Sequence, residues 1–168
     1  MKIFDMISFA DIFTLANLSL GFLSILLSLR GMFILSFIAL ILALFMDGLD
    51  GRVARFLKRK DNFGLQLDSL SDLISFGVAT SVFGFLFGLN SLFSIIVFVI
   101  FLCCCALRLA RFNINKQKTK GNYFEGIPTP TSVILPLILL IFGLNQWLIL
   151  LYLIFGLLMT SSVKIKKI

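Results

Sequence analysis

Long apolar stretches separated by short polar connections dominate the chain. A helix that crosses a bilayer needs about 20 mostly apolar residues, because each residue adds about 1.5 Å against a hydrocarbon core of about 30 Å. Six stretches meet or approach that requirement, roughly 11–29, 32–51, 67–88, 91–110, 130–144 and 146–163. The fifth is short and contains Pro136, which predicts a tilt or kink. Asp5 and Asp11 interrupt the start and the first apolar run continues to Leu29, so it reads as a mature first span and not as a cleavable leader. The predicted fold is an all-α integral membrane bundle of six transmembrane helices, a single domain over residues 1–168, with both termini on one side.

Composition agrees with that pattern. The chain is 60% hydrophobic and only 14% charged, with a mean hydropathy of +1.09. Soluble domains average roughly 45–50% apolar and about 25% charged residues. The basic residues then orient the bundle. Lys2 precedes the first span; Arg52, Arg55, Lys58, Arg59 and Lys60 follow the second; Arg108, Arg111, Lys116, Lys118 and Lys120 follow the fourth; Lys164, Lys166 and Lys167 end the chain. These fourteen share one side and only Arg30 lies on the other, which predicts a cytoplasmic location for both termini in the cell membrane. The eight acidic residues lie on or near that same face, so the chemistry is expected there. The net charge of +7 sets topology and attracts anionic headgroups; no soluble domain displays it to nucleic acid.

The chain has no histidine, which excludes histidine catalysis and a histidine-ligated metal. Its cysteines, Cys103, Cys104 and Cys105, are consecutive within an apolar run and read as small apolar filler. The chemistry therefore falls to the segment from Asp47 to Asp72. Asp47 and Asp50 are three apart at the end of the second span, and Asp68 and Asp72 are four apart at the start of the third. Each spacing puts two carboxylates on one helix face. Four acids at a membrane boundary are expensive and call for a compensating charge. With oxygen donors alone, the natural compensators are hard divalent cations shared with substrate phosphates. Gly51 and Ala54 are small residues beside the acids. They either let a bulky group approach the backbone or serve close helix packing. Arg55 either pairs with a phosphate or buttresses a carboxylate.

The acids and small residues follow one another in a fixed order: Asp47, two residues, Asp50-Gly51, two residues, Ala54-Arg55, eight residues, Gly64, three residues, Asp68, three residues, Asp72. This resembles the complete signature of the CDP-alcohol phosphatidyltransferase family. The resemblance implies a six-helix membrane fold with a polar cavity open to the cytoplasm and two divalent cations, Mg²⁺ or Mn²⁺. It implies Asp47, Asp50 and Asp68 as metal ligands and Asp72 as both ligand and general base. It implies CDP-lipid contacts from Gly51, Ala54 and Arg55, and Asp61 stands near the nucleotide where relatives often have Ser or Thr. A homodimer is implied by resemblance alone.

Residues 107–113, LRLARFN, and 123–130, YFEGIPTP, resemble the paired motifs of the phosphatidylserine synthase branch, as does TLANLSLGF from Thr14 to Phe22. Thr14 and Asn17 are thereby expected on the CDP-lipid. Arg108 and Arg111, three apart at a helix end, can clamp a phosphate or the carboxylate of an amino acid, or merely serve topology. Glu125 can hold an ammonium group or pair with a lysine. Thr129 and Thr131 depart from the commoner residues of that branch. The implied reaction transfers the phosphatidyl group of CDP-diacylglycerol or CDP-archaeol to the hydroxyl of L-serine, releasing CMP. Alternatives are glycerol 3-phosphate or an inositol phosphate as acceptor. From other classes come a small transporter or cation channel, and a prenyl synthase whose aspartate spacing differs.

Overall fold

A computed structural model describes residues 8–56, 62–118, 123–125, 127–143, 146–161 and 164–166. Helix α1 (Phe9–Leu29) starts on Ser8, whose N–H donates to the Asp11 carboxylate at 2.7 Å in a capping box. It ends at Gly31, whose φ of +72° turns the chain back into α2 (Phe33–Phe56). The hairpin is inside-out relative to a soluble protein. The inward stripe of α1 is Ala10, Asp11, Thr14, Asn17, Gly21, Ser24 and Ser28, whereas Phe9, Ile12, Leu15, Phe22 and Leu26 point outward. Lipid favours this arrangement, because apolar side chains gain nothing by leaving it and small or polar residues let helices approach and hydrogen-bond. Thus Ser36 of α2 meets the hydroxyls of Ser24 at 2.8 Å and Ser28 at 2.7 Å.

The next span is composite. It begins as α3 (Asn62–Asp72), widens into a π-helical turn over Leu73–Val78, and resumes as α4 (Ala79–Phe87). A π turn pairs each N–H five residues back, here Ala79 N–H to Ile74 O, and such turns occur frequently at functional sites. Side-chain hydroxyls meet its carbonyls: Thr80 and Ser132 donate to Phe76 O at 2.6 and 2.7 Å, and Ser81 to Gly77 O at 2.8 Å. Helix α5 (Leu92–Lys118) follows. A 3₁₀ turn, Thr129–Val133, then leads into α6 (Ile134–Phe142), and a second, Gln146–Leu148, into α7 (Ile149–Thr160).

The bundle is helical, as the sequence predicts, but its last two spans are shorter than a full crossing. Among the described residues four helices are long and apolar enough to cross: Phe9–Leu29, Phe33–Val53, Asn62–Phe87 and Leu92–Ile114. The remaining apolar helices, Thr129–Phe142 and Gln146–Thr160, each rise only about 24 Å once the steeper 3₁₀ turns are counted. Prolines 128, 130 and 136 explain the late start of the fifth, since proline lacks the N–H an interior helix position needs. In contrast, α2, α3 and α5 extend past the expected edges of their apolar stretches, so the site-bearing residues stand on helix and not on loops. The one departure from an all-helical chain among the described residues is a short ribbon, β1 (Tyr123–Glu125) paired antiparallel with β2 (Lys164–Lys166), in which Glu125 faces Lys164 across the ladder.

Phe83, Phe98, Phe101, Leu135, Leu139, Tyr152 and Met159 form the main core between α4, α5, α6 and α7. Tyr152 is buried, and its hydroxyl donates to Thr80 O at 3.0 Å. Cys104 and Cys105 are buried and Cys103 is exposed, all as free thiols. The tightest approach lies between α1 and the π turn. A Cβ on Gly21 would stand 2.7 Å from the Cα of Ser75, a backbone atom that cannot swing away. Gly21→Ala is expected to lower the melting temperature in detergent by about 3–8 °C. Gly48→Ala, where no atom lies within 4 Å of the added Cβ, is expected to leave it unchanged or slightly raised. Scanning fluorimetry on the two variants checks the pair.

Candidate active site

Helices α2 and α3 bring the four motif carboxylates together. One carboxylate oxygen from each of Asp47, Asp50 and Asp68 lies within 4.8 Å of the others. Asp72 lies one turn beyond Asp68, within reach of the charges of Asp47, Asp50 and Asp68. Asp50 and Asp72 are buried, and Asp47 and Asp68 half-buried. Full charges about 4 Å apart repel by about 4 kcal/mol per pair at an effective dielectric of about 20. Carboxylates this close ionise together only if cations offset their charge. The donor set is entirely oxygen, which fits Mg²⁺ or Mn²⁺ and not a thiolate-seeking metal.

The acids are held from behind by α1. The Thr14 hydroxyl donates to Asp50 Oδ2 at 2.8 Å, and Asn17 Nδ2 donates to Asp72 Oδ1 at 3.3 Å. Ser71 and Ser75 fasten the other side of the seam by donating to the carbonyls of Thr14 and Asn17, each at 3.0 Å. The resemblance puts Thr14 and Asn17 against the CDP-lipid. In the structure both are buried and donate to carboxylates, as buried acids require. Asn17 Oδ1 is buried without a partner.

Gly51 decides between the two readings of the small residues. It is exposed, and an added Cβ would meet nothing within 4 Å. Among the described residues no helix packs against it, so the flank beside Asp50 is open to a bulky group. Asp61 lies outside the described residues; of Ala54, Arg55 and Glu125 only the backbone is described.

The two arginines part company. Arg108 is buried, donates from Nη1 to the Thr129 hydroxyl at 2.7 Å and lies 5.4 Å from the Phe112 ring centre. Its charge acts on Asp47, Asp68 and Asp72, and its Nε is buried without a partner. Arg111 instead donates to the carbonyls of Met159, Thr160 and Ser161 at 3.3, 3.1 and 2.9 Å. It caps the carboxyl end of α7, where the last carbonyls have no helical partner. Arg111 thus ties α5 to the end of α7. Asn113, to which the sequence reading assigned no role, exchanges hydrogen bonds with Ser69 at 2.9 and 3.1 Å and ties the Asp68 turn to α5. Its position at the end of the RLARFN stretch was the available signal.

Comparison with known proteins agrees with this geometry. The family model for CDP-alcohol phosphatidyltransferase matches residues 7–158. The chain is 38% identical over 140 residues to a CDP-diacylglycerol–serine O-phosphatidyltransferase of Helicobacter pylori, covering 80% of this chain and 58% of that protein. It is 39% identical over 136 residues to an archaetidylserine synthase of Methanothermobacter thermautotrophicus, covering 79% and 58%. It is 39% identical over 163 residues to a CDP-diacylglycerol–serine O-phosphatidyltransferase of Methanocaldococcus jannaschii, covering 96% and 75%. The chain thus spans little more than half the length of the first of these relatives. With the aspartate signature at its spacing, the carboxylates converging across α2 and α3, and a family match over nearly the whole sequence, this chain belongs to the CDP-alcohol phosphatidyltransferase family.

Proposed function

We propose that the chain acts as one membrane domain that transfers the phosphatidyl group of a CDP-linked lipid, CDP-diacylglycerol or CDP-archaeol, to the hydroxyl of L-serine, releasing CMP. The observation that carries this reading is the four-carboxylate cluster beside the open flank of Gly51. Asp47, Asp50, Asp68 and Asp72 would hold two divalent cations, Mg²⁺ or Mn²⁺, which would neutralise the pyrophosphate and the departing CMP. Gly51, Ala54, Arg55 and Asp61 would contact the CDP moiety, as the family resemblance implies. Asp72 takes the proton from the serine hydroxyl. The freed oxygen forms a bond to the lipid-side phosphorus, and the bond from that phosphorus to the CMP oxygen breaks with its electron pair. Thr14 and Asn17 keep the carboxylates aimed throughout. Arg108 takes the serine carboxylate and Glu125 its ammonium group. The acidic face is assigned to the cytoplasmic side of the cell membrane by the basic residues around it, and a homodimer by family resemblance.

Serine is favoured over glycerol 3-phosphate or an inositol phosphate because a phosphorylated acceptor wants several cations, and Arg111 is committed to α7. The names of the similar proteins point the same way. A channel would need polar groups along its length, whereas the half away from the acids is packed with Phe83, Phe98, Phe101 and Leu139.

Four outcomes are expected. Purified protein with CDP-diacylglycerol and labelled serine should yield labelled phosphatidylserine and CMP; turnover only with another alcohol would refute serine as acceptor. EDTA should abolish that turnover and excess Mg²⁺ or Mn²⁺ restore it. Asp72→Asn should lose about 10²–10⁴ in kcat while keeping its melting temperature, read by CMP release. Arg111→Ala should separate stability from chemistry. Its melting temperature should fall by several degrees, as expected for about 1–2 kcal/mol of lost capping, with KM for serine within about threefold of wild type, a ratio equivalent to less than about 1 kcal/mol.

A further inference from the structure

The Pro-Thr-Pro turn carries more than a stiff entry to the fifth span. Thr129 is fully buried, and its hydroxyl accepts the 2.7 Å hydrogen bond from Arg108 Nη1. Three residues on, Ser132 donates to Phe76 O at 2.7 Å, inside the π turn that directly follows Asp72. Thr131 closes the turn on itself, its hydroxyl donating to Pro128 O at 2.6 Å. One short rigid segment is thus bolted both to the helix that carries Asp72 and to Arg108. Arg108 itself is 7% exposed, yet its Nε–H has no partner. A buried charged donor left unmatched is costly, and such a donor in a site calls for an anion.

We infer that Thr129 is a positioning residue for acceptor recognition: its hydroxyl fixes one arm of Arg108 so that the unpartnered Nε–H is held for the anionic group of the acceptor. This rests on the proposed reading of the site and deepens it. The chemistry recognised is a carboxylate or phosphate borne by a small alcohol, and the proposed acceptor supplies a carboxylate. With the hydroxyl removed, Arg108 loses its tether and swings among its rotamers, so the anion loses a preset partner while Thr14 and Asn17 still hold Asp50 and Asp72 in place. The interaction orders the acceptor, so the effect falls on KM for that substrate.

The test uses the full chain in detergent with Mg²⁺ and CDP-diacylglycerol and compares Thr129→Val, Thr129→Ala and Thr129→Ser. Valine and alanine both remove the hydroxyl, so alanine serves if valine compromises folding. The expected result is a rise in KM for serine of about tenfold or more in the hydroxyl-free variants. KM for the CDP-lipid should stay within about twofold and kcat within about threefold, and Thr129→Ser should restore most of the serine KM. An unchanged serine KM in a hydroxyl-free variant overturns the inference. So does an equal loss in Thr129→Ser, which would mean that the methyl group and packing matter and not the hydroxyl. Should the wild type use glycerol 3-phosphate and not serine, the proposed acceptor fails. The inference then stands or falls on whether the variants raise KM for glycerol 3-phosphate. Use of an uncharged alcohol alone overturns both.

Discussion

Mutual repulsion among four carboxylates, crowded at the end of a membrane bundle, is the constraint around which this structure is arranged. Asp47, Asp50, Asp68 and Asp72 converge from two helices, with Asp50 and Asp72 nearly out of contact with solvent. Left alone they would disperse or protonate. What keeps them together is a rear wall of donors from α1, Thr14 and Asn17, and the bulk of α1 seated closely enough to supply them. That closeness depends on Gly21, where the backbone of α1 meets the π turn. A cluster so built is poised for hard cations and for the phosphates such cations hold.

The same need explains the polarity of the bundle interior. In a soluble protein the serine and threonine stripe of α1 would face water; here it faces α2 and the π turn while leucines and phenylalanines face lipid. The hydroxyls of Ser71, Ser75, Thr80, Ser81 and Ser132 satisfy backbone carbonyls around the seam, several of them on the π turn itself. The π turn follows Asp72 directly, so the helix is widened where the acid must be aimed. The acidic end is thereby joined to the Pro-Thr-Pro turn and through it to Arg108.

Much of this was legible in the sequence, because the spacing of the aspartates on two amphipathic helix ends is a local property. The first four spans were legible for the same reason: long apolar runs have one stable outcome in lipid. What escaped depends on which neighbours a side chain finds in three dimensions. The hydrogen bonds from Thr14 to Asp50 and from Asn17 to Asp72 span 36 and 55 residues of chain, and no local spacing announces them. The contact of Arg111 with the open carbonyls of α7 likewise joins residues about fifty positions apart. No feature of the chain near residue 73 announces a π turn, since the demand comes from packing against α1 and Ser132. The fifth and sixth helices fall short because prolines and 3₁₀ turns shorten them, which an apolar count does not register.

The central claim is that the four carboxylates form one site for divalent cations. Mn²⁺ binding to the purified protein in the presence of CDP, followed by electron paramagnetic resonance, tests it most directly. The account predicts two Mn²⁺ per chain in wild type and loss of at least one in Asp50→Asn and in Asp68→Asn, with melting temperatures preserved. Undiminished Mn²⁺ binding in both variants would contradict it.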